Sequence, residues 1–200
     1  MLKKNFSIVL LVVMLVASFA NGAVTKYDTD AAHSNIGFSM PILGGLSQVR
    51  GKFTDFTVAI VYDDADVTKS SVNATIKATS IDTGIERRDA HLRTADFFEV
   101  EKFPEITFAS SRIEKKGKQL IAHGTFTMRG VTKEIALPFT INGVSKDPKT
   151  GKTQLGLTAR TTVNRRDYGI NFSNPSNPNF LGDQVEIELN IVTRAASPLP

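Results

Sequence analysis

Apolar and polar residues alternate with a period of two through most of the chain after residue 33, and this pattern limits the fold more than any other feature. Successive side chains of a β-strand point to opposite faces of a sheet, so a period of two is typical of strands that bury one face. The sequence therefore predicts an all-β fold of about eight strands. The alternating runs lie at residues 34–40, 56–62, 72–78, 106–108, 120–128, 135–141, 155–159 and 185–191.

Short turn sequences separate the later runs. Glycine or proline occurs at residues 115–118, 129–130 and 147–152, and these residues supply the backbone angles that tight turns need. Strands joined by such short turns are antiparallel neighbours. Closure into a barrel removes the open edges of an antiparallel sheet, and a barrel of about eight strands can hold one small ligand. We therefore expect an eight-stranded antiparallel barrel.

Two segments depart from the strand pattern. Residues Glu86 to Arg93 are rich in charge and in helix formers, which predicts one short helix over an end of the barrel. Residues 171–182 contain two prolines and several asparagines, and they are too polar for a strand. Neither a linker nor an internal repeat indicates a second domain, so residues 23–200 are assigned to one domain.

The N-terminus is typical of a secretory signal peptide. Two lysines precede an apolar run at Phe6–Phe19, and small residues follow, with cleavage expected after Ala20 or Gly22. A membrane-spanning helix needs about 20 apolar residues, and this run is shorter. We predict that residues 1–22 are removed and that the protein is periplasmic or secreted, with no stable membrane insertion after cleavage.

The composition of the remaining chain argues against several functions. Removal of the leader lowers the number of basic residues from 24 to 22, against 20 acidic residues, and the basic residues are scattered. This near balance does not indicate a nucleic-acid partner. The chain has no cysteine, so disulfides, thiolate nucleophiles and thiolate metal ligands are excluded. Its 13 phenylalanines, which have no polar group to satisfy, suit a dry core or a dry pocket.

Four segments resemble the YceI-like family, the lipocalin-like bacterial periplasmic proteins associated with polyisoprenoid binding. They lie at residues 33–38, 88–108, 124–133 and 166–169, and in the last of them Tyr168 replaces the usual phenylalanine. The resemblance spans about residues 24–193. It implies an eight-stranded lipocalin-like barrel whose elongated apolar cavity holds a polyisoprenoid or another long-chain lipid. It also implies a homodimer, and it carries over no catalytic residue and no cofactor.

We predict that the more apolar face of each strand lines this cavity, together with the phenylalanines that follow the helix. Which face points inward stays open at this level. His91, if the helix covers the barrel mouth, and Arg166 are candidate contacts for a ligand head group, beside purely structural roles. The predicted cavity residues are Ile36, Phe38, Phe56, Val58, Ile60, Phe97, Phe98, Phe103, Phe108, Phe126, Phe139, Ile187 and Leu189.

Metal and catalytic sites are weakly indicated. The three histidines are far apart in the sequence, and their spacing does not suggest a shared metal site, so no metal is predicted. Asp89 and His91 are two residues apart on the predicted helix and do not face each other. The Gly-x-Ser-x-Gly motif of serine hydrolases is absent. No catalytic residue is predicted, and the alternative is an enzyme that uses His91 and Asp96 on an apolar isoprenoid or lipid substrate in the same cavity.

The main hypothesis is thus a periplasmic carrier that sequesters a polyisoprenoid or a similar lipid by apolar contact. A third hypothesis is an outer-membrane barrel, which needs an uninterrupted apolar outer band. Charged residues such as Lys52, Lys77 and Glu134 interrupt the faces that would form this band. The sequence therefore favours a barrel that is apolar inside rather than outside.

Overall fold

The computed structural model describes residues 24–196, in which eleven strands and one α-helix, α1 (Glu86–Leu92), are formed. The predicted signal peptide lies outside the described residues, and the assignment of residues 23–200 to one domain stays a prediction. The strands are β1 (Val24–Thr29), β2 (Asn35–Ile42), β3 (Ser47–Phe53), β4 (Phe56–Asp63), β5 (Ser71–Lys77), β6 (Ile81–Asp82), β7 (Glu105–Lys116), β8 (Gln119–Met128), β9 (Val131–Lys146), β10 (Thr153–Asn164) and β11 (Gln184–Ala195).

Eight of these strands form a closed antiparallel barrel, as the sequence predicts. Around the ring they follow the order β1, β4, β5, β7, β8, β9, β10 and β11, and β11 pairs back with β1. Strands β2, β3 and β6 extend the sheet from β11, where β2 pairs with residues 186–190. The C-terminal part of β11 therefore pairs with β1 and closes the barrel, whereas its N-terminal part pairs with β2.

Three strands, β1, β3 and β6, were not predicted from the sequence. Strand β6 has only two residues, too few to show a period. In β3, the inward position between Val49 and Phe53 is Gly51, which interrupts the apolar pattern. A Cβ atom on Gly51 would lie 2.5 Å from the Phe38 ring. The ring of the neighbouring strand thus fills the space that an apolar side chain of β3 would occupy.

The predicted helix and turns are confirmed. Helix α1 is held to the end of β6 by Thr83, whose N–H donates to the buried Asp89 carboxylate at 3.0 Å. The Arg88 guanidinium donates to the Thr83 carbonyl at 2.9 Å. The predicted turns join β7 to β8, β8 to β9 and β9 to β10. Residues 171–182 form a long loop, whose Leu181 makes an isolated bridge to Ile42.

Strand β11 changes its partner at Val192. The pairing with β2 ends at Asn190, and the pairing with β1 starts at Thr193. Between them, the Ser34 hydroxyl donates to the Val192 carbonyl at 3.0 Å and accepts from the Val192 N–H at 2.9 Å. The Asp30 N–H also donates to this carbonyl, at 2.8 Å. The Ser34 hydroxyl therefore takes the place of a neighbouring strand at Val192, which pairs with neither β1 nor β2.

The same arrangement occurs on the other side of β1. The Thr29 hydroxyl donates to the Val58 carbonyl at 2.8 Å and accepts from the Val58 N–H. The buried Asp30 carboxylate receives the Arg194 guanidinium at 2.6 Å and His33 Nδ1 at 2.8 Å. Buried backbone groups cost free energy unless they are hydrogen-bonded. These contacts therefore seal the barrel wall where the chain passes from β1 to β2.

We expect Ser34→Ala to lower the free energy of unfolding by about 1–2 kcal/mol, because the Val192 N–H loses its partner. The matched control is Ser39→Ala in the following strand β2, whose hydroxyl makes only an exposed contact of 3.4 Å with Glu186. Its effect should stay below about 0.5 kcal/mol. Urea denaturation of both variants measures the difference, and equal effects would contradict the role assigned to Ser34.

Candidate ligand-binding cavity

Alternate residues of the barrel strands enclose one continuous cavity. Along β10, every second residue from Leu155 to Val163 faces it, a span of about 27 Å at the usual rise of a strand. The wall includes Val67 and Ser70 of the β4–β5 connection at one end, and Leu92 and Ile170 at the other. The cavity therefore runs along most of the length of the barrel.

The cavity is narrow and almost entirely apolar. Its volume is about 200 Å³. The few polar side chains at the wall include Ser71 and Thr161, and the wall offers a ligand almost no hydrogen bonds. Such an interior suits an apolar chain and does not suit a polar solute.

Most of the predicted cavity residues meet on this wall, which establishes the inward face that the sequence left open. Whether they contact a ligand stays a prediction. The predicted residues on the wall are Ile36, Phe38, Val58, Ile60, Phe97, Phe98, Phe108, Phe126, Phe139, Ile187 and Leu189.

Two predicted residues lie elsewhere, since the wall formed by residues 24–196 does not include Phe56 or Phe103. Phe56 is buried in the core at the first position of β4, beyond the end of the cavity wall on that strand. Phe103 packs against Gly130, where an added Cβ atom would lie 2.5 Å from its ring. The Phe103 ring thus packs against the tight turn between β8 and β9, outside the cavity.

Other wall residues were missed by the sequence reasoning. Some of them continue the alternating runs that it had found, including Leu137, Leu157 and Val185, so the signal for these was present. Leu92 and Ile170 are different, because they follow no strand pattern. Only the folding of α1 and of the loop after β10 brings these two side chains over the end of the barrel.

The segment after α1 is held in place by Arg129, at the turn between β8 and β9. Its guanidinium donates to the Gly169 carbonyl at 2.7 Å and to the Ala95 carbonyl at 2.9 Å. It also contacts the Glu99 carboxylate at 3.2 Å. One side chain therefore connects three segments at the end of the cavity where Phe97 and Phe98 lie.

Helix α1, the segment after it and the loop after β10 lie over this end of the cavity, and we refer to residues 86–103 and 165–182 as the cover. His91 is part of the cover but not of the cavity wall formed by the described residues. Its Nε2 lies 2.7 Å from the Asp96 carboxylate, so the structure brings together the two residues of the enzyme alternative. The His91 ring contacts Phe97 and Phe172 edge-on, with centroids 5.1 Å apart in both cases. Both polar side chains are about half exposed. The pair therefore lies on the outer side of the cover.

The other two histidines also pair with separate carboxylates. His33 contacts Asp30, and His123 Nε2 lies 2.6 Å from Glu114. In the part of the chain that the structure describes, no group of three histidine or acidic side chains is placed to hold a metal ion. Across the same residues, no helix is long and apolar enough to span a bilayer.

Arg165 is a buried guanidinium at the edge of the cavity. It donates to the carbonyls of Gly182, Ile170 and Phe172 at 2.8–3.0 Å, and it pairs with Asp183 at 2.9 Å. Burial lowers the pKa of Arg165 from its ordinary value, and Asp183 opposes this change. The ordinary pKa of arginine lies far above neutral pH, so the Arg165 guanidinium stays charged. Its donors are used by the loop, which keeps its charge away from the cavity.

Arg166, the second candidate for a head-group contact, points elsewhere. Its Nε lies 2.8 Å from the same Asp183 carboxylate, and its side chain is partly exposed. The wall that the described residues form does not include it. A contact between a head group and Arg166 or His91 therefore stays a prediction.

A closed antiparallel barrel around an apolar cavity defines a class of proteins that bind apolar small molecules, of which the lipocalins are examples. The family model described as "YceI-like domain" matches residues 27–193. The chain therefore belongs to the YceI-like family, and the predicted resemblance is confirmed.

Two similar proteins support this assignment, and a third shares the fold alone. A UPF0312 protein of Shewanella sp. (strain W3-18-1) is 38% identical over 171 residues, which cover 85% of this chain and 88% of the relative. The crystal structure of a Campylobacter jejuni YceI protein has a TM-score of 0.67 at 30% identity, covering 76% of this chain and 88% of that one. A polyisoprenoid binding domain from Saccharophagus degradans shares the fold, with a TM-score of 0.66 at 14% identity and coverage of 87% and 100%.

We expect Arg165→Gln to lower the free energy of unfolding by about 3 kcal/mol, because several backbone carbonyls lose a charged donor. Amide hydrogen exchange should rise in the loop at residues 170–182. The matched control is Arg166→Gln, which removes a partly exposed ion pair worth less than about 1 kcal/mol. Equal exchange in the two variants would refute the anchoring role of Arg165.

Proposed function

We propose that this protein sequesters a polyisoprenoid or a similar long apolar lipid inside the barrel. The observation that supports this most directly is the continuous apolar cavity, which extends from the β4–β5 connection to Leu92 and Ile170. A structural neighbour described as a polyisoprenoid binding domain agrees with the proposal. The proposed site of action is the periplasm or the outside of the cell, and a homodimer stays a prediction from the family resemblance.

The size of the apolar contact explains why chain length should control binding. Each buried CH₂ group contributes about 0.8 kcal/mol, so a chain with about 15 buried groups would gain roughly 12 kcal/mol before losses. Association and ordering oppose binding by about 4–15 kcal/mol. A chain of five carbons therefore gains too little, whereas a chain that fills the cavity can be retained. A polyisoprenoid longer than the cavity would extend past the cover at the end of the barrel.

The head group should contribute less to affinity than the chain. The wall offers almost no polar partner, and the donors of Arg165 are used by the loop at Gly182, Ile170 and Phe172. A polar head group would lose its hydration without compensation inside such a cavity. We therefore propose that the head group stays at an end of the barrel, where His91 and Arg166 are the candidate contacts.

Binding is favoured over catalysis by the position of the polar groups. The His91–Asp96 pair has hydrogen-bonding geometry, but it lies on the outer side of the cover, with the Phe97 ring between it and the cavity. A general acid or base must come within hydrogen-bonding reach of the reacting group. An apolar substrate in the cavity would be out of this reach while the cover is closed.

We expect the protein purified from its own host to carry a polyisoprenoid or similar lipid, detected by native mass spectrometry and by solvent extraction. The variant Leu189→Trp should carry about tenfold less, because displacing two CH₂ groups already costs about 1.6 kcal/mol. Leu189 is half-buried on the cavity wall and pairs with Ala159 on β10, which leaves room for the larger ring.

The matched control is Asn190→Trp, because this next residue of β11 points to the outer face and is exposed. It should retain the lipid of the wild-type protein. If the wild-type protein is reproducibly empty, or if both variants retain the lipid equally, the proposed function is wrong. The chain has no native tryptophan, so the fluorescence of each variant reports whether the new ring is buried.

Export gives a separate prediction. Because signal peptidase cuts after small residues, the protein from the periplasm or the medium should begin at Asn21 or Ala23. Intact mass measurement of the recovered protein distinguishes these two starts from uncleaved Met1. Recovery of the full-length chain from the cytoplasm alone would contradict the proposed location and leave the lipid-binding test unaffected.

A further inference from the structure

The turn between β2 and β3 exposes two leucines to solvent. Leu43 is 44% exposed and Leu46 is 89% exposed, the highest value among the exposed large apolar residues of the described chain. Gly44 and Gly45 between them have left-handed backbone angles, with φ of 66° and 95°. No heavy atom lies within 4 Å of a Cβ atom built on either glycine. We refer to residues 43–46 as the leucine tip, and it projects into open space.

The leucine tip is attached firmly to the body of the protein. The Leu43 N–H donates to the Phe180 carbonyl at 2.8 Å, and the Gly182 N–H donates to the Pro41 carbonyl at 2.8 Å. These bonds connect the base of the tip to the loop that Arg165 anchors. The leucines are therefore presented by a fixed support, although burial of the two side chains would be favourable.

The leucine tip is also continuous with the cavity wall. Phe38 and Met40 of β2 line the cavity, and the same strand leads to the tip through Ile42. Ile170 of the wall directly precedes the loop that contacts the tip. The leucine tip thus lies at the end of the barrel that α1 covers.

Further apolar and basic residues lie beside β3. Thr83 packs on Gly51, and two residues later Ile85 is 53% exposed. Arg50 and Arg87 are exposed, and within residues 24–196 neither of them forms an ion pair. Glu86 and Glu186 are exposed in the same region, so its charge is mixed. Exposed apolar side chains on a protruding turn are typical of surfaces that bind to membranes by shallow insertion.

We propose that the leucine tip inserts into the surface of a lipid bilayer and docks this end of the barrel there. The choice of a bilayer rests on the proposed function, because a long apolar lipid is stored in membranes. Insertion would place the covered end of the cavity next to its source of ligand. Two leucines and neighbouring side chains give a reversible peripheral contact rather than a membrane-spanning one.

The size of the patch argues against a second copy of this chain as the occupant. A stable protein interface buries about 800 Å² on each partner. The leucine tip and Ile85 expose a few hundred Å² of apolar surface at most. A bilayer needs no matching surface, and it accepts a narrow protruding tip that a flat protein surface would contact poorly.

The absence of native tryptophan allows a direct test with Leu46→Trp. The matched control is Val144→Trp, an apolar residue that is 51% exposed in the β9–β10 hairpin, at the opposite end of the barrel. Each variant is mixed with vesicles of neutral phosphatidylcholine, with or without anionic phosphatidylglycerol. Both variants carry the same N-terminal segment, so any contribution from that segment is common to both.

We expect the emission of Leu46→Trp to shift to the blue with vesicles of either composition, and to be quenched by brominated acyl chains. Val144→Trp should show neither effect. In a co-sedimentation assay, the double variant Leu43→Ser with Leu46→Ser should bind vesicles about tenfold less than the wild-type protein or more weakly still.

Equal shifts in the two tryptophan variants, or no shift in either, would overturn the proposal. A blue shift of Leu46→Trp that grows with protein concentration in the absence of vesicles would also overturn it, and would indicate a second copy as the occupant. The double serine variant should keep its lipid during purification if only docking is lost. Failure of the proposed function would appear instead as an empty wild-type protein, so the two failures are distinguishable.

Discussion

The closure of the barrel depends on how β11 is hydrogen-bonded along the edge that faces β1 and β2. Two strands share this edge, and neither one reaches Val192. The Ser34 hydroxyl satisfies both backbone groups at that position, and the Thr29 hydroxyl does the same for Val58 on the other side. Without these contacts, polar backbone groups would be left without partners in the wall of an apolar cavity. The dry interior therefore depends on two small polar side chains, Thr29 at the end of β1 and Ser34 in the β1–β2 connection.

The end of the cavity is covered by charged residues whose charges are kept out of the interior. Arg165 holds the loop after β10, and Arg129 connects that region to the segment after α1. Guanidinium groups suit this role because each one can donate several hydrogen bonds in fixed directions. The cover can therefore present Phe97 and Ile170 to the cavity while its polar contacts remain on the outer side.

Strand β2 connects the proposed function with the proposed docking surface. Within the barrel, Phe38 and Met40 face the cavity, and beyond the barrel the same strand ends at the leucine tip. An apolar interior can retain a lipid chain but cannot by itself attract one through water. A tip that enters a bilayer would bring the cover to the place where such chains are found. This arrangement favours exchange at the end where α1 lies.

The sequence by itself indicated an antiparallel barrel, the short helix and part of the cavity wall, because the period-two alternation assigns successive side chains to opposite faces. Local pattern did not reveal β1, β3 or β6, nor the position of Phe103 outside the cavity. The bond between Ser34 and Val192 joins residues 158 positions apart, and no local periodicity encodes such a pair. Only the tertiary structure decided which face points inward and how Arg165 and the leucine tip are placed, because these depend on contacts between distant segments.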